Sequence, residues 1–222
     1  SSIVPLVYFD KHLPHKGIIL DLGCGEGVLS NLVSKIRPKC KVIGLDVDKI
    51  KIAIAKKNST QNTEFIEFDF FNLEKYKNIS SIIINDVVHH IDYDNHMKLF
   101  IKIMNSLKPN GVFILKEVDK DDFIDYQMTK FFDQKIYPND KLCFRSQSDW
   151  LSLFSRLGNN NVSIYKYAHP WHASRTIFTL KKNKYVDPYK HVKAINFKFK
   201  NLKKNRVFIT GASGFLGNYL ID

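Results

Sequence analysis

Ile19-Leu20-Asp21-Leu22-Gly23-Cys24-Gly25-Glu26-Gly27-Val28-Leu29-Ser30 is the stretch that decides the fold. A short apolar run, strand-sized and bounded by glycines, passes into a loop and then into a helical pattern. Glycine at 23, 25 and 27 permits positive φ and lets the backbone approach a ligand closely. Asp21, at the end of the strand, is placed to hold a cationic group. Position 28 is Val, so the dinucleotide fingerprint G-x-G-x-x-G is not met here, which disfavours NAD as the ligand of this loop.

Outward from that loop, β-branched runs alternate with helical-period stretches, the pattern of βαβ units on a parallel sheet. The expected strands are 18–22, 41–45, 64–68, 80–85 and 112–117, with helices at about 26–36, 49–58 and 93–107. Lys108-Pro109-Asn110-Gly111 reads as a turn that stops the third helix and launches the fifth strand. After residue 118 the pattern changes: helices are expected at about 121–134 and 146–157, then strands at 162–168 and 175–181. The short joint between those last two, Ala168 to Ser174, favours an antiparallel hairpin at the sheet edge.

Two further acids lie at strand ends. Asp46 follows Val42-Ile43-Gly44-Leu45, nineteen residues past Gly27, where a carboxylate can accept hydrogen bonds from ribose hydroxyls. The next helix already has a better N-cap in Asp48. Asp69, in Phe68-Asp69-Phe70-Phe71, sits beside aromatics where it can receive an adenine amino group or serve as an ordinary loop residue.

Together these segments resemble the class I S-adenosylmethionine-dependent methyltransferases, in their small-molecule branch. Asp21 to Gly27 resembles that family's first motif, and Asp46 and Asp69 fall at its ribose and adenine acids. Asn85-Asp86-Val87-Val88-His89-His90-Ile91 resembles its segment after the fourth strand, and Leu107 to Ile114 its turn into the fifth. The resemblance covers about residues 10–181 and implies an α/β, Rossmann-like fold: a seven-stranded, mostly parallel sheet with an antiparallel C-terminal edge hairpin. It implies S-adenosylmethionine as cofactor. Gly23, Gly25 and Gly27 would lie against its methionine and ribose portions, Asp21 near its amino group, Asp46 on the ribose, and Asp69 on the adenine amine. Phe70 would line the ring pocket, and Asp86 with the loop after it would face the methionine end and the acceptor.

Methyl transfer from a sulfonium is an in-line displacement, so alignment dominates, and a hydroxyl or protonated amine acceptor must also lose a proton. His89 and His90 are the candidate bases, of which at most one is expected to face the acceptor because successive residues diverge; Glu117 ranks behind them. His169 and His172 are expected on the surface. Asp119, Asp121, Asp122 and Asp125 cluster after the fifth strand, but Asp121 and Asp122 precede an apolar helical run that they are expected to cap, so no metal is expected.

Composition bounds the partners. With 44% hydrophobic and 25% charged residues the chain is globular rather than disordered. The net charge of +12 is concentrated in residues 181–206, which carry a net +9, while the first 180 residues are at +4. That Lys-rich segment reads as a solvated linker over 182–205, so nucleic acid is not the expected partner. The Asn/Asp-Pro-Pro-Tyr motif used on nucleic-acid bases is also missing after the fourth strand. The expected acceptor is a small molecule, covered by a lid from the aromatic-rich segment 120–160. No apolar run approaches membrane-helix length, and three cysteines suit a reducing cytoplasm.

Arg206 to Gly217 presents another strand and glycine turn, with Gly211, Gly214 and Gly217 spaced G-x-x-G-x-x-G. It resembles the NAD(P)-binding start of extended short-chain dehydrogenases of the epimerase/dehydratase group. Residues 206–222 are therefore expected to open a fused dehydrogenase/epimerase domain, which favours a sugar or nucleotide-sugar acceptor for the domain at 1–181. The absence of an initial Met and the stop at Asp222 suit a fragment. The rival readings are a non-catalytic S-adenosylmethionine-binding domain and an RNA methyltransferase using the 181–206 lysines.

Overall fold

A computed structural model describes residues 6–158, 161–166 and 176–182. Seven strands form one sheet in the order β3-β2-β1-β4-β5-β7-β6. β1 (Gly17–Leu22), β2 (Cys40–Asp46), β3 (Thr63–Glu67), β4 (Ile79–Asn85) and β5 (Leu107–Glu117) run parallel. β7 (Thr176–Lys181) is antiparallel to both β5 and β6 (Val162–Lys166). The expected fold class, with its C-terminal edge hairpin, is the one observed.

The strands read as continuous apolar runs because both faces are covered. Alternation along β4 sends Ile82 and Ile84 into one core and Ile83 into the other. The first core packs against α4 (Tyr93–Ser106) through Leu99, Phe100 and Ile103, and against α6 (Gln147–Arg156) through Trp150 and Phe154. The second packs against α2 (Val28–Ile36) through Leu29 and Val33, and against α1 (Leu6–His12) through Tyr8 and Phe9. α3 (Lys49–Lys57) rests on Phe65 through Ile52 and Ala55. No helix among the described residues is long and apolar enough to cross a membrane.

Three details differ from the sequence reading. α1 has no counterpart in it, because seven residues carry too little periodicity to mark a helix. The expected turn at 108–111 lies within the irregular start of β5, where Asn110 takes φ 62° and the register to β4 shifts between Ile79 and Ser81. α5 (Phe123–Ile136) starts two residues later than expected, because Asp122 is its N-cap and accepts from the Asp125 amide. The expected linker beyond residue 182, the tail at 206–222, and His169 and His172 lie outside the described residues.

Between β1 and β4 the strand order reverses direction. In an open α/β sheet that reversal leaves a crevice at the carboxyl ends of the strands, where ligands bind.

Candidate functional site

A cleft of about 450 Å³ opens at that point. Its floor is the glycine loop. Gly25 takes φ 54° and a Cβ built on it meets nothing within 4 Å, so bare backbone faces open space. Gly27 takes φ 81° with its Cα against the Phe65 ring; a Cβ there would come within 2.5 Å of Phe65 Cζ. The amides of Gly23 and Cys24 donate to the Leu45 carbonyl at 2.7 and 3.1 Å, tying the loop to β2.

Asp46 closes the loop from the β2 side. Its Oδ2 accepts from the Gly25 amide at 2.8 Å and its Oδ1 from the Asp48 amide at 2.9 Å. Asp48 caps α3 by accepting from the amides of Ile50 and Lys51, so the cap and the acid at the strand tip are separate residues. Asp69 begins the short 3-10 turn Phe70–Lys75, accepting from the Phe71 amide at 2.9 Å, and Asp69, Phe70 and Phe71 all line the cleft.

Asp21 lies beneath the loop. It is buried, accepts from Ser30 Oγ at 2.6 Å, and is not among the residues lining the cleft. Burial pushes its carboxyl up to about 6; the Ser30 hydrogen bond opposes the rise and the nearby Asp46 charge adds to it.

The fourth-strand segment forms the opposite wall. Asp86 takes φ 56° and its Oδ2 pairs with Lys116 Nζ at 2.5 Å, the lysine being only 1% exposed. Asn85 Oδ1 and Asp86 Oδ1 are both buried with no hydrogen-bond partner, and both residues line the cleft. Two adjacent buried acceptors without donors are costly unless a ligand supplies the donors.

The two histidines diverge. His89 is buried, with Nδ1 2.6 Å from Glu117 Oε2 and Nε2 3.1 Å from Asp133 Oδ2. Burial by itself lowers its pKa, but the Glu117 charge and the hydrogen bonds to Asp133 and Glu117 outweigh it and push the ring up to about 10. With both nitrogens on carboxylates and no place in the cleft lining, His89 has no free lone pair for a substrate proton. His90 does line the cleft, with Nδ1 3.0 Å from Asp140 Oδ2. Burial, and then the neighbouring His89 charge, lower its pKa. Glu117 is not a base either: Oε1 accepts from the amides of Val87 and Val88 at 2.9 and 2.6 Å, fixing the loop after β4.

Sequence reasoning missed Lys51, Tyr137 and Asp140, which also line the cleft. Lys51 Nζ donates to Tyr137 Oη at 2.7 Å, joining α3 to the segment after α5. Nothing in the local pattern marks them; only the placement of the 120–140 segment over the cleft does. Of the aromatics in the expected lid, Trp150 and Phe154 are core, whereas Phe123, Phe131 and Phe132 are more than half exposed. The acids after β5 act within the fold: Asp119 accepts from the amides of Asp121 and Gln147 and pairs with Lys166.

Comparison with known proteins bears on the fold and the family. Ribosomal protein L11 methyltransferase of Dictyoglomus thermophilum is 30% identical over 119 residues, covering 51% of this chain and 36% of the relative. Ubiquinone biosynthesis O-methyltransferase of Pelagibacter ubique is 32% identical over 112 residues, covering 48% of this chain and 45% of the relative. The chain thus spans less than half the length of these relatives. A methyltransferase from Archaeoglobus fulgidus described as SAM-dependent shares the fold, with a TM-score of 0.64 at 15% identity over 80% of this chain and 91% of that one. Human N-acetylserotonin methyltransferase, solved in complex with SAM, has a TM-score of 0.59 at 20% identity over 75% of this chain and 48% of that one. The family model described as a methyltransferase domain matches residues 15–166, from the start of β1 to the end of β6, and the chain belongs to that family.

Proposed function

We propose that this domain binds S-adenosylmethionine in the cleft between the glycine loop and the Asn85–Ile91 segment and transfers its methyl group to a small-molecule acceptor. One observation carries the reading: open backbone at Gly25, the acids Asp46 and Asp69 and the donor-starved oxygens of Asn85 and Asp86 all border one cavity. The cofactor fits that set because it offers hydroxyl, amine and ammonium donors to acceptors that lack them. Bound there, it supplies an electrophilic methyl on a positively charged sulfur.

The chain's own residues then have distinct tasks. Gly23 and Gly25, which line the cleft, give the ribose and methionine portions their close approach, while Gly27, outside the lining, packs the loop against Phe65. Asp46 holds the ribose hydroxyls while bracing the loop. Asp69 and Phe70 take the adenine edge and face. Asp21 acts from beneath the loop on the amino group, through its charge or a bridging water. Asp86, positioned by Lys116, and Asn85 bound the methionine end. His90 is the histidine placed to meet the acceptor, with Asp140 orienting its ring; His89 serves by holding the wall behind it.

A small acceptor is supported by the size of the cleft, by the modest charge of residues 1–180, and by the coverage that Tyr137 and Asp140 provide. The dehydrogenase-like tail adds a sugar or nucleotide-sugar as the first class to screen.

Calorimetric titration with S-adenosylmethionine and S-adenosylhomocysteine, with NADH as control, tests the reading. Micromolar binding of both sulfur compounds and none of NADH is the expected result. Absence of binding by either sulfur compound overturns it.

A further inference from the structure

Behind the cleft wall, His89, His90 and Asp133 each bring one metal-ligating atom within 4.8 Å of the other two. A tetrahedral site with bonds of 2.0–2.2 Å sets its donor atoms about 3.3 Å apart. His89 Nε2 and Asp133 Oδ2, at 3.1 Å, already stand at that spacing, and the widest separation needs to close by about 1.5 Å.

The surroundings are those of a ligand set rather than a chance cluster. Glu117 can only accept at His89 Nδ1, since its other oxygen is taken by the amides of Val87 and Val88. That fixes one proton on Nδ1; without metal Nε2 carries a second, shared with Asp133 Oδ2 at 3.1 Å, and a divalent ion takes its place between the two atoms, releasing that proton to solvent. Asp140 does the same for His90 at Nδ1, leaving its Nε2. A carboxylate on the far nitrogen of each imidazole is the usual outer support of a metal-bound histidine. Phe144 stacks on the His89 ring at 4.8 Å between centroids and holds its plane. Four carboxylates (Asp86, Glu117, Asp133 and Asp140) surround the two rings, and the nearby buried cation, Lys116, is already paired with Asp86.

We propose that His89, His90 and Asp133 form a divalent transition-metal site beside the methyl-transfer cleft, of two imidazoles and one carboxylate, with Glu117 and Asp140 as its positioning residues. The donor set suits Zn²⁺, Co²⁺ or Fe²⁺ and not Mg²⁺, which takes oxygen ligands and keeps its waters. Because His90 lines the cleft, a cation held there meets the acceptor's polar atom through the open side of the site. The site joins α5, through Asp133, to the loop after β4, so the metal also fixes the covering helix. The inference does not rest on cofactor binding.

The test uses the full chain, stripped with a chelator and titrated with Co²⁺ and Zn²⁺ by calorimetry, with Co²⁺ absorption in the visible as a second readout and Mg²⁺ as control. The expected result is one strong site for Zn²⁺ and Co²⁺, a d–d band of a low-coordinate ion, and no comparable uptake of Mg²⁺. Asp133→Asn and His89→Ala each lower that affinity at least tenfold and alter the band, and Glu117→Gln lowers it about 10–100-fold, as loss of an outer carboxylate does. Asp133 lies on the half-exposed covering helix, so its variant keeps the fold, checked by circular dichroism; it keeps the proposal decidable if His89→Ala or Glu117→Gln does not fold. Absence of a strong site, or a site that the folded Asp133→Asn variant leaves unchanged, overturns the proposal. S-adenosylhomocysteine affinity, measured in the same samples, separates failure here from failure of the cofactor reading.

Discussion

The Gly25 amide donates to Asp46 Oδ2 at 2.8 Å, so the acid at the tip of β2 is also the clasp of the glycine loop after β1. Asp46→Ala removes both the clasp and the proposed ribose contact. Charge-assisted hydrogen bonds are worth about 1.5–3 kcal/mol each, so S-adenosylhomocysteine affinity falls by at least about tenfold while the thermal transition persists. Calorimetry on the variant checks it; affinity equal to the parent removes Asp46 from the ribose site.

Gly25 and Gly27 separate binding from folding. Both have positive φ, which costs an L-residue about 1–2 kcal/mol. Gly27→Ala adds a collision with the Phe65 ring and a Cβ 3.0 Å from that of Ala55, raising the destabilisation to about 2–4 kcal/mol. Gly25→Ala meets no neighbour, keeps most of the stability, and puts its methyl into the cleft. Urea unfolding ranks Gly27→Ala as the less stable, whereas cofactor titration finds Gly25→Ala folded and weakened. The reverse order of stabilities contradicts the loop geometry.

Asp21 gives a pH prediction. Burial raises its folded pKa to about 6, above that of the unfolded chain, so its contribution is full at low pH and is lost as pH rises through about 6. Asp21→Asn keeps an oxygen for the Ser30 hydroxyl and cannot ionise. The variant therefore gains on the parent as pH rises from 4.5 to 7.5, by roughly 2 kcal/mol. Urea midpoints of both proteins at three pH values measure the gap; a gap independent of pH shows that Asp21 does not titrate in this range.

The Lys116–Asp86 pair joins β5 to the cleft wall at 2.5 Å. Lys116→Met preserves the buried stem but strands the carboxylate. Breaking a buried pair costs about 3–5 kcal/mol, reduced here to about 2–3 because Asp86 is partly exposed. Adding Asp86→Asn recovers part of that loss. A double-mutant cycle reads the coupling, and additive losses would mean that the two charges are independent.

The sequence by itself determined the sheet and the loop that borders its cleft. Period-2 and period-3.6 runs and glycines where positive φ is needed are local features, and the strands and the glycine loop fell close to where they were expected because their geometry depends on near neighbours in the chain. Asp48 and Asp122 as caps were equally legible, since a cap acts within three residues. What tertiary structure decided is which of two adjacent histidines faces the cleft. Glu117, Asp133 and Asp140 lie 28, 44 and 50 residues from their histidine partners, on a different strand, a covering helix and a loop. No period or motif encodes such pairings; they come from packing α5 and the 137–140 segment against the end of the sheet. The same packing turns the acid Asp133, unremarkable in sequence, into the third member of a cluster with His89 and His90. Proton affinities followed suit: burial and juxtaposed charge, which arise only on folding, drive His89 up and His90 down, although the two are neighbours in the chain.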